Sequence, residues 1–470
     1  VDDISGCLVP ESGRPRWEEA SRYSTQFMGA PASVYDYYDK DDSDDVVSRP
    51  RYAAWQHEEG EEAVYLSWHS NAPSPGTGTS TYIYGPNAPG NAYEFAGTAG
   101  SEELAGAVHG ELIELIRSRH DEGWKDRGIR TAWFGEVNPS HNPEMPAILI
   151  EAAFHDTESD CKLLQEPRFR QTLSLAMYRG VVQYFAQKEN IAPAYLPKPP
   201  TGVAARACGR SVCLSWEAPD SGEFGNEASG YVVYQSRDGR AFDDGTEVGN
   251  VQSYEIPATP ASAQYFRLTA VNVGGESFAS QTVGSLQFDD RFGGVLVVGG
   301  FDRLDRFGLI GEDLSAFSDG TVYMMKLNRM NSFQYIVEHG EILESLGVPF
   351  DSLWHDSAEL ATMDEYPMLI WSSGEESVSD ETFSVEERLA ARNYLAKGGN
   401  LLASGAELGW DLVEQGDPDG VDFFNVLGGA YVGDDGDGYS FSLADGREFN
   451  FDDSTHGTYD VDFPDIIDPI

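Results

Sequence analysis

Two short stretches of the chain combine residue types that do metal or proton-transfer chemistry. The first is Leu66-Ser67-Trp68-His69-Ser70-Asn71-Ala72. A strand-like run ends there in a histidine followed by small polar residues. An imidazole so placed points into an open cleft, where it can bind a metal or move a proton. The plainer reading is a hydrogen-bonded structural histidine. The second stretch is Met145-Pro146-Ala147-Ile148-Leu149-Ile150-Glu151-Ala152-Ala153-Phe154. Glu151 closes an otherwise apolar strand, and a carboxylate without a partner is costly to bury. Glu151 therefore faces a cleft, a metal or a cation. A general base acting on a metal-bound water has those needs. An ion pair with Arg127 or Arg130 would meet them too.

Both stretches lie in a region, about residues 14–187, where strand and helix patterns alternate. Trp17–Met28 reads as a helix ending at Gly29. Ala32–Tyr38 and Ala63–Trp68 read as strands. Glu102–Ser118 is an amphipathic helix with Leu104, Val108, Leu112, Leu115 and Ile116 on one stripe. Ala147–Ala152 is a strand buried on both faces, and Arg168–Ala186 is a closing helix. The alternation predicts an α/β sheet covered on both sides. Pro193, Pro197, Pro199 and Pro200 mark a stiff linker over 188–200. Short alternating strands then run to about residue 286, predicting a small β-sandwich. From 292 the α/β pattern returns, as an open parallel sheet with ligand-binding loops at its strand ends. Gly299-Gly300 lacks the spacing of a dinucleotide fingerprint. Ser373 and His355 have the residue types of a nucleophile and a base, but no motif pairs them.

The order of these features resembles the catalytic domain of zinc-dependent N-acetylmuramoyl-L-alanine amidases of the third amidase family. Ser67-Trp68-His69-Ser70-Asn71-Ala72 matches that family's SxHxNA motif, and Pro146 to Phe154 matches PAxLxExxF. The Gly76-Thr77-Gly78 loop and the two long helices fall in the family's order, and the resemblance covers about residues 14–187. It implies a Zn2+ cofactor with His69 as a ligand, Glu151 as the catalytic base and Asn71 as a substrate contact. The implied substrate is peptidoglycan, cut by zinc-activated water at the amide between N-acetylmuramic acid and L-alanine. The family's other two ligands are a histidine in a Gly-His-Gly turn and a helix-starting glutamate. Neither is matched before His69. Glu11, Glu18 and Glu19 are candidates for the glutamate by position. Similarity to a long-insert subgroup instead places both ligands upstream of Val1. The middle segment resembles a fibronectin type III domain with Trp216 as its core tryptophan. The last segment resembles an amidotransferase-like or flavodoxin-like domain without the amidotransferase cysteine. The expected organisation is thus multidomain: 1–187, the C-terminal part of an amidase domain; 188–200, a linker; 201–286, a β-sandwich; and 292–470, a truncated α/β open-sheet domain. Two rival readings are a non-catalytic cell-surface adhesion protein with a degenerate amidase domain, and a polysaccharide-degrading enzyme.

The chain carries 31 Lys and Arg against 79 Asp and Glu, a net charge of −48. Such a surface is repelled by nucleic acid and by anionic membranes. The dense run Asp41, Asp42, Asp44, Asp45 reads as a solvated loop. No apolar run approaches the roughly 18 residues of a membrane span. Cys208 and Cys213 flank a Gly-Arg-Ser-Val turn, which suits a hairpin disulfide. Cys7 and Cys161 are isolated. Together with the resemblance, this predicts a secreted, periplasmic or cell-surface protein.

Overall fold

The computed structural model describes residues 15–87, 94–222, 225–288, 294–303, 310–313, 321–324, 334–374, 376–378, 380–433, 440–442, 446–450 and 466–469. It divides into two compact units. One holds residues 1–193 with 311–323, the other 194–310 with 324–470.

The first unit runs α1 (Arg16–Glu19), α2 (Ser21–Phe27), α3 (Ala32–Tyr35), α4 (Asp41–Gln56), β1 (Tyr65–Asn71), β2 (Thr79–Tyr84), α5 (Ser101–Arg119), β3 (Asp126–Ala132), β4 (Ala147–Phe154), α6 (Glu158–Gln165) and α7 (Pro167–Glu189). Its sheet has the order β1-β4-β2-β3. β1 runs parallel to β4, β2 antiparallel to β4, and β3 parallel to β2. The apolar stripe of α5 is buried as its periodicity predicts. α5 and α7 pack closely: a Cβ on Gly180 of α7 would sit 2.5 Å from the Val108 Cα of α5. Beside this contact, buried Glu111 of α5 forms an ion pair with Arg179 Nε at 2.7 Å and accepts a hydrogen bond from Gln183 Nε2.

Three local readings are corrected. Trp17–Met28 is two helices broken at Ala20, whose backbone is extended. Ala32–Tyr38 is no strand. Its first four residues form α3 behind Pro31, and the amides of Tyr37 and Tyr38 donate to Asp44 Oδ1 at 2.8 and 2.7 Å. That distant carboxylate takes the donors a strand would offer a neighbour. The acidic run is no loop either, because Asp41, Asp42 and Asp44 fill the first turn of α4. Carboxylates are stabilised there by the helix dipole.

The second unit contains β5 (Thr201–Cys208), β6 (Ser211–Glu217), β7 (Gly230–Ser236), β8 (Thr246–Gly249), β9 (Ser253–Pro257), β10 (Gln264–Asn272), β11 (Gly275–Glu276), β12 (Val283–Ser285) and β13 (Val295–Gly299). The short strands β14 (Ile310–Asp313) and β15 (Thr321–Met324) form a separate two-stranded sheet. The second unit then continues with α8 (Tyr335–Ser345), β16 (Phe350–Trp354), β17 (Met368–Gly374), α9 (Val385–Ala396), β18 (Asn400–Gly405) and α10 (Pro418–Val426). One sheet, β18-β17-β13-β16-β5-β6-β9, crosses the expected boundary near residue 290. Its first four strands are parallel. β16 then meets β5 antiparallel, with Ser352 opposite Ala205. Buried Asp351 ties this joint by accepting from Ala207 N–H, Ser285 Oγ and Tyr366 OH, each at 2.8 Å. β13 is covered on both faces. Val295 and Val297 enter a core shared with Trp216, Tyr231 and Tyr265, and Leu296 and Val298 enter another with Trp371 and Phe423. Cys208 and Cys213 are joined, with Cα atoms 5.8 Å apart. Cys161 is half-buried and unbonded, and Cys7 lies outside the described residues.

The close crossing of α5 and α7 sets up a comparison of two glycines. Alanine is favoured over glycine in a helix by about 1 kcal/mol, and nothing lies within 4 Å of a Cβ placed on Gly110. Gly110→Ala should stabilise the chain by up to that amount in urea denaturation. Gly180→Ala should instead destabilise it, because overpacking costs about 1–3 kcal/mol. Equal gains from both substitutions would refute the tight contact.

Candidate active site

β1 and β4 pair in parallel with His69 opposite Glu151. Residues directly paired across a ladder project to the same face, so the two side chains share one side of the sheet. Ser80 of β2 pairs with Glu151 from the other edge. Along β1, the period of two puts Tyr65 and Ser67 on the face of His69. Below them Ala147, Leu149 and Val137 form a small apolar floor with Tyr65, Tyr82 and Phe134. The polar groups thus stand at the strand ends above a dry base.

A third group completes the site. Glu136 follows β3 and is only 6% exposed. Its Oε1 lies 3.5 Å from His69 Nε2 and 3.5 Å from Arg49 Nη1. Arg49 reaches from α4 and is held by Asp45 Oδ2 at 3.0 Å and Ser21 Oγ at 3.2 Å. His69 Nε2 also hydrogen-bonds Ser67 Oγ at 2.8 Å. Burial holds the His69 pKa below the ordinary imidazole value; Arg49 adds to the lowering and Glu136 opposes it. The ring is therefore neutral at neutral pH, with one lone pair to offer.

Glu151 has the opposite perturbation. Burial first, and then the nearby Glu136, push its pKa up to about 7. Its Oε2 is buried with no hydrogen-bond partner among the described residues. Neither expected arginine is its partner. The Arg127 guanidinium lies over the Phe154 ring, 4.9 Å from its centroid, and Arg130 Nε donates to the Arg127 carbonyl at 3.0 Å.

Asn71 stands apart from this row. A bulge after His69 shifts the register, so Asn71 pairs with Phe154, and its Oδ1 accepts the Ala72 N–H at 2.8 Å. The loop beside it is fixed by buried Asp160, which accepts Thr77 Oγ1 at 2.6 Å, Gly78 N–H at 3.1 Å and Phe154 N–H at 3.0 Å. Glu18 and Glu19 are exposed on α1, and Glu11 lies outside the described residues. His57 is paired with Glu144 at 3.0 Å. In the second unit, Ser373 and His355 are not brought together. Ser373 Oγ donates to the Thr382 carbonyl at 3.1 Å, and His355 Nδ1 bonds Glu387 at 2.7 Å.

Sequence reasoning missed Glu136, Arg49 and Asp160. A signal existed for Glu136, a lone carboxylate in the apolar run Trp133-Phe134-Gly135-Glu136-Val137. The burial argument that singled out Glu151 applies to it equally. Arg49 and Asp160 gave no local signal.

Among the described residues, no group of three or more His, Cys, Asp or Glu is arranged to hold a metal ion. A catalytic zinc needs three protein ligands. What is present fits one corner of such a site: a neutral imidazole beside an orphaned buried carboxylate oxygen.

Residues 22–183 match the sequence model of the family described as Amidase_3, N-acetylmuramoyl-L-alanine amidase. The chain is 29% identical over 134 residues to an uncharacterized cell wall amidase of Bacillus anthracis, covering 28% of this chain and 23% of that protein. It is 32% identical over 126 residues to a sporulation-specific N-acetylmuramoyl-L-alanine amidase of Bacillus subtilis strain 168, covering 27% and 41%. A solved N-acetylmuramoyl-L-alanine amidase of Clostridium difficile 630 is 29% identical, covering 27% of this chain and 59% of that one, with a TM-score of 0.21. The chain spans from about a quarter to under two thirds of the length of these relatives. Residues 22–183 are thus an α/β domain of the N-acetylmuramoyl-L-alanine amidase type, with sheet-rich regions beyond it. The adhesion and polysaccharide readings are not favoured by these matches.

The raised proton affinity of Glu151 has a consequence for stability. The folded state binds this proton more tightly than the unfolded state, so stability falls as pH rises from about 4.5 to about 7. At pH 8 Glu151→Gln should therefore stabilise the chain, by roughly 1 kcal/mol once solvent screening at this half-buried group is allowed for. At pH 4 the gain should vanish. Urea denaturation at both pH values measures the difference, and a gain independent of pH would contradict the burial argument.

Proposed function

We propose that this domain hydrolyses the amide between N-acetylmuramic acid and L-alanine in peptidoglycan, with Glu151 as general base and then general acid. One observation carries the reading: a buried carboxylate with an orphaned oxygen and a pKa near 7 stands directly across the ladder from a neutral histidine. A base of that strength accepts a proton from water at neutral pH and can return it. Glu151 would remove the proton from the attacking water. The same proton would then go to the nitrogen of the leaving L-alanine, so that the amine departs neutral. The apolar floor under the site keeps bulk water from competing for that proton.

His69 would supply one ligand of a zinc ion whose other protein ligands come from outside the described residues, and that ion would polarise the water and the carbonyl. Asn71, past the bulge, would contact substrate rather than the reacting atoms. The fibronectin-like and amidotransferase-like segments of the second unit are read as accessory. No helix among the described residues is long and apolar enough to cross a membrane. Action at the cell wall, outside the cytoplasm, follows from the proposed substrate.

The test is turnover of purified peptidoglycan by the protein carrying its complete metal site. Glu151→Gln should leave folding and zinc content near wild type. It should slow amide hydrolysis by about 10²-fold or more, the scale of lost general-base catalysis. A variant that releases stem peptides at nearly the wild-type rate would sink the assignment.

A further inference from the structure

We infer that Arg267, among the antiparallel strands of the second unit, anchors a second binding site, one that takes the carboxylate of a small ligand. Arg267 lies on β10 and lines a cavity of about 690 Å³ with Lys198, Pro200, Pro219, Glu217 and Asp220. The chain has 79 acidic residues to 31 Lys and Arg, so a guanidinium that leaves water readily finds a carboxylate. Among the described residues of this unit, the other buried or half-buried arginines all do. Arg206 meets Glu359 and Glu365, Arg303 meets Asp380, Arg388 meets Asp417 and Arg392 meets Asp419. Half-buried Arg267 meets none: burial draws its pKa down and no carboxylate opposes the shift. The acid on its own face of the sheet is turned elsewhere. Arg267, Thr269 and Val271 share that face by the period of two, and Glu276 pairs with Val271. Glu276 Oε1 instead accepts from Tyr234 OH and Thr269 Oγ1, each at 2.5 Å.

Arg267 is nonetheless fixed. Its Nε donates to Thr282 Oγ1 at 2.7 Å, and its Cζ lies 4.5 Å from the centroid of the Phe242 ring. Thr282 is buried, and its carbonyl accepts Trp354 Nε1 at 3.3 Å. The two Nη nitrogens make no hydrogen bond among the described residues and are not sealed from solvent. A guanidinium so held has already lost its rotamer freedom, and its donor edge stays open. Two Nη donors match the two oxygens of a carboxylate. Glu217 and Asp220, exposed on the cavity wall, disfavour the second charge of a phosphate. The volume falls in the range of small-ligand sites, about 300–1,000 Å³, and the prolines offer apolar walls to an aliphatic part. A peptide C-terminus and a sugar acid both carry this chemistry.

Ligand-observed NMR titrations on the full chain test this with two matched pairs. N-acetyl-alanyl-alanine is compared with its C-terminal amide, and N-acetylmuramic acid with neutral N-acetylglucosamine. One acid or both should bind about tenfold or more tightly than the neutral partner, the scale of a hydrogen bond to a charged group. Which acid binds names the source, peptide terminus or sugar acid. Arg267→Gln should abolish the preference. Thr282→Val, which frees the guanidinium but keeps its charge, should weaken acid binding severalfold and decides the matter if Arg267→Gln does not fold. Acids and neutral partners that bind alike overturn the inference. So does inorganic phosphate that binds more tightly than either acid, or a folded variant that keeps the wild-type preference. None of these readouts uses hydrolysis, so the result stands whether or not the first unit proves to be an amidase.

Discussion

The site depends on the parallel register of β1 and β4. Because side chains alternate, a slip of one residue would send Glu151 to the opposite face from His69. Several contacts hold the register at both ends of the ladder. Tyr65 N–H donates to the Pro146 carbonyl at 2.8 Å where the pairing begins. At the other end Asp160 binds the last amide of β4 and the Gly76-Thr77-Gly78 loop together. Gly76 lies so close to the Phe154 ring that an added Cβ would fall 2.1 Å from it. The aromatic end of the second motif thus serves as a stop for the strand that carries Glu151.

Electrostatics separates the carboxylates of this unit into two kinds. Glu111 is as buried as Glu136, but Arg179 and Gln183 answer it and lock α5 to α7. At the strand ends two carboxylates stand near each other, and Arg49 reaches one of them, Glu136. Glu151 is left to relieve its burial by holding a proton. Like charges at close range push one of the pair toward its neutral form, and here that is the acid with the orphaned oxygen. Proton-transfer capacity is in this sense the residue of an incomplete pairing.

The legible parts of the sequence were those written in local pattern. Apolar strands ending in His69 and Glu151 announced themselves, and the stripes of α5 and α7 gave the covering helices. Of the N-terminal helices only Trp17–Met28 was legible as helical; its break at Ala20 and the helices α3 and α4 were not, because their signals are long-range. The amides of Tyr37 and Tyr38 are taken by Asp44, and Asp45 holds Arg22 and Arg49. An acidic run looks the same whether it is a solvated loop or the first turn of a helix, until its partners are known. The joint between β16 and β5 was hidden for a similar reason. Edge pairing leaves no periodicity, and its buried Asp351 sits in an otherwise ordinary strand.

The two strand-end regions also differ in what they leave over for chemistry. In the second unit the parallel strands end where open α/β sheets usually bind ligands. Much of the polar equipment there is turned inward. The amides of Asp302 and Arg303, placed where an anion would dock, donate to Glu376 Oε1 at 2.5 and 2.6 Å. His355 is committed to carboxylates on two sides. Burial draws its pKa down, but Asp302 and Glu387 outweigh that and raise it to about 10, so it is a cation bound in place rather than a base. Ser373 has its hydroxyl proton on a backbone carbonyl. A base must be unprotonated and a nucleophile must reach solvent, and neither condition holds for this pair. In the first unit His69 is neutral and half-exposed beside a carboxyl that titrates near neutrality. The same fold logic, strand ends bearing polar groups, thus leaves a buried carboxyl with an orphaned oxygen at each edge, Glu376 in one unit and Glu151 in the other, and sets a neutral histidine across the ladder from Glu151.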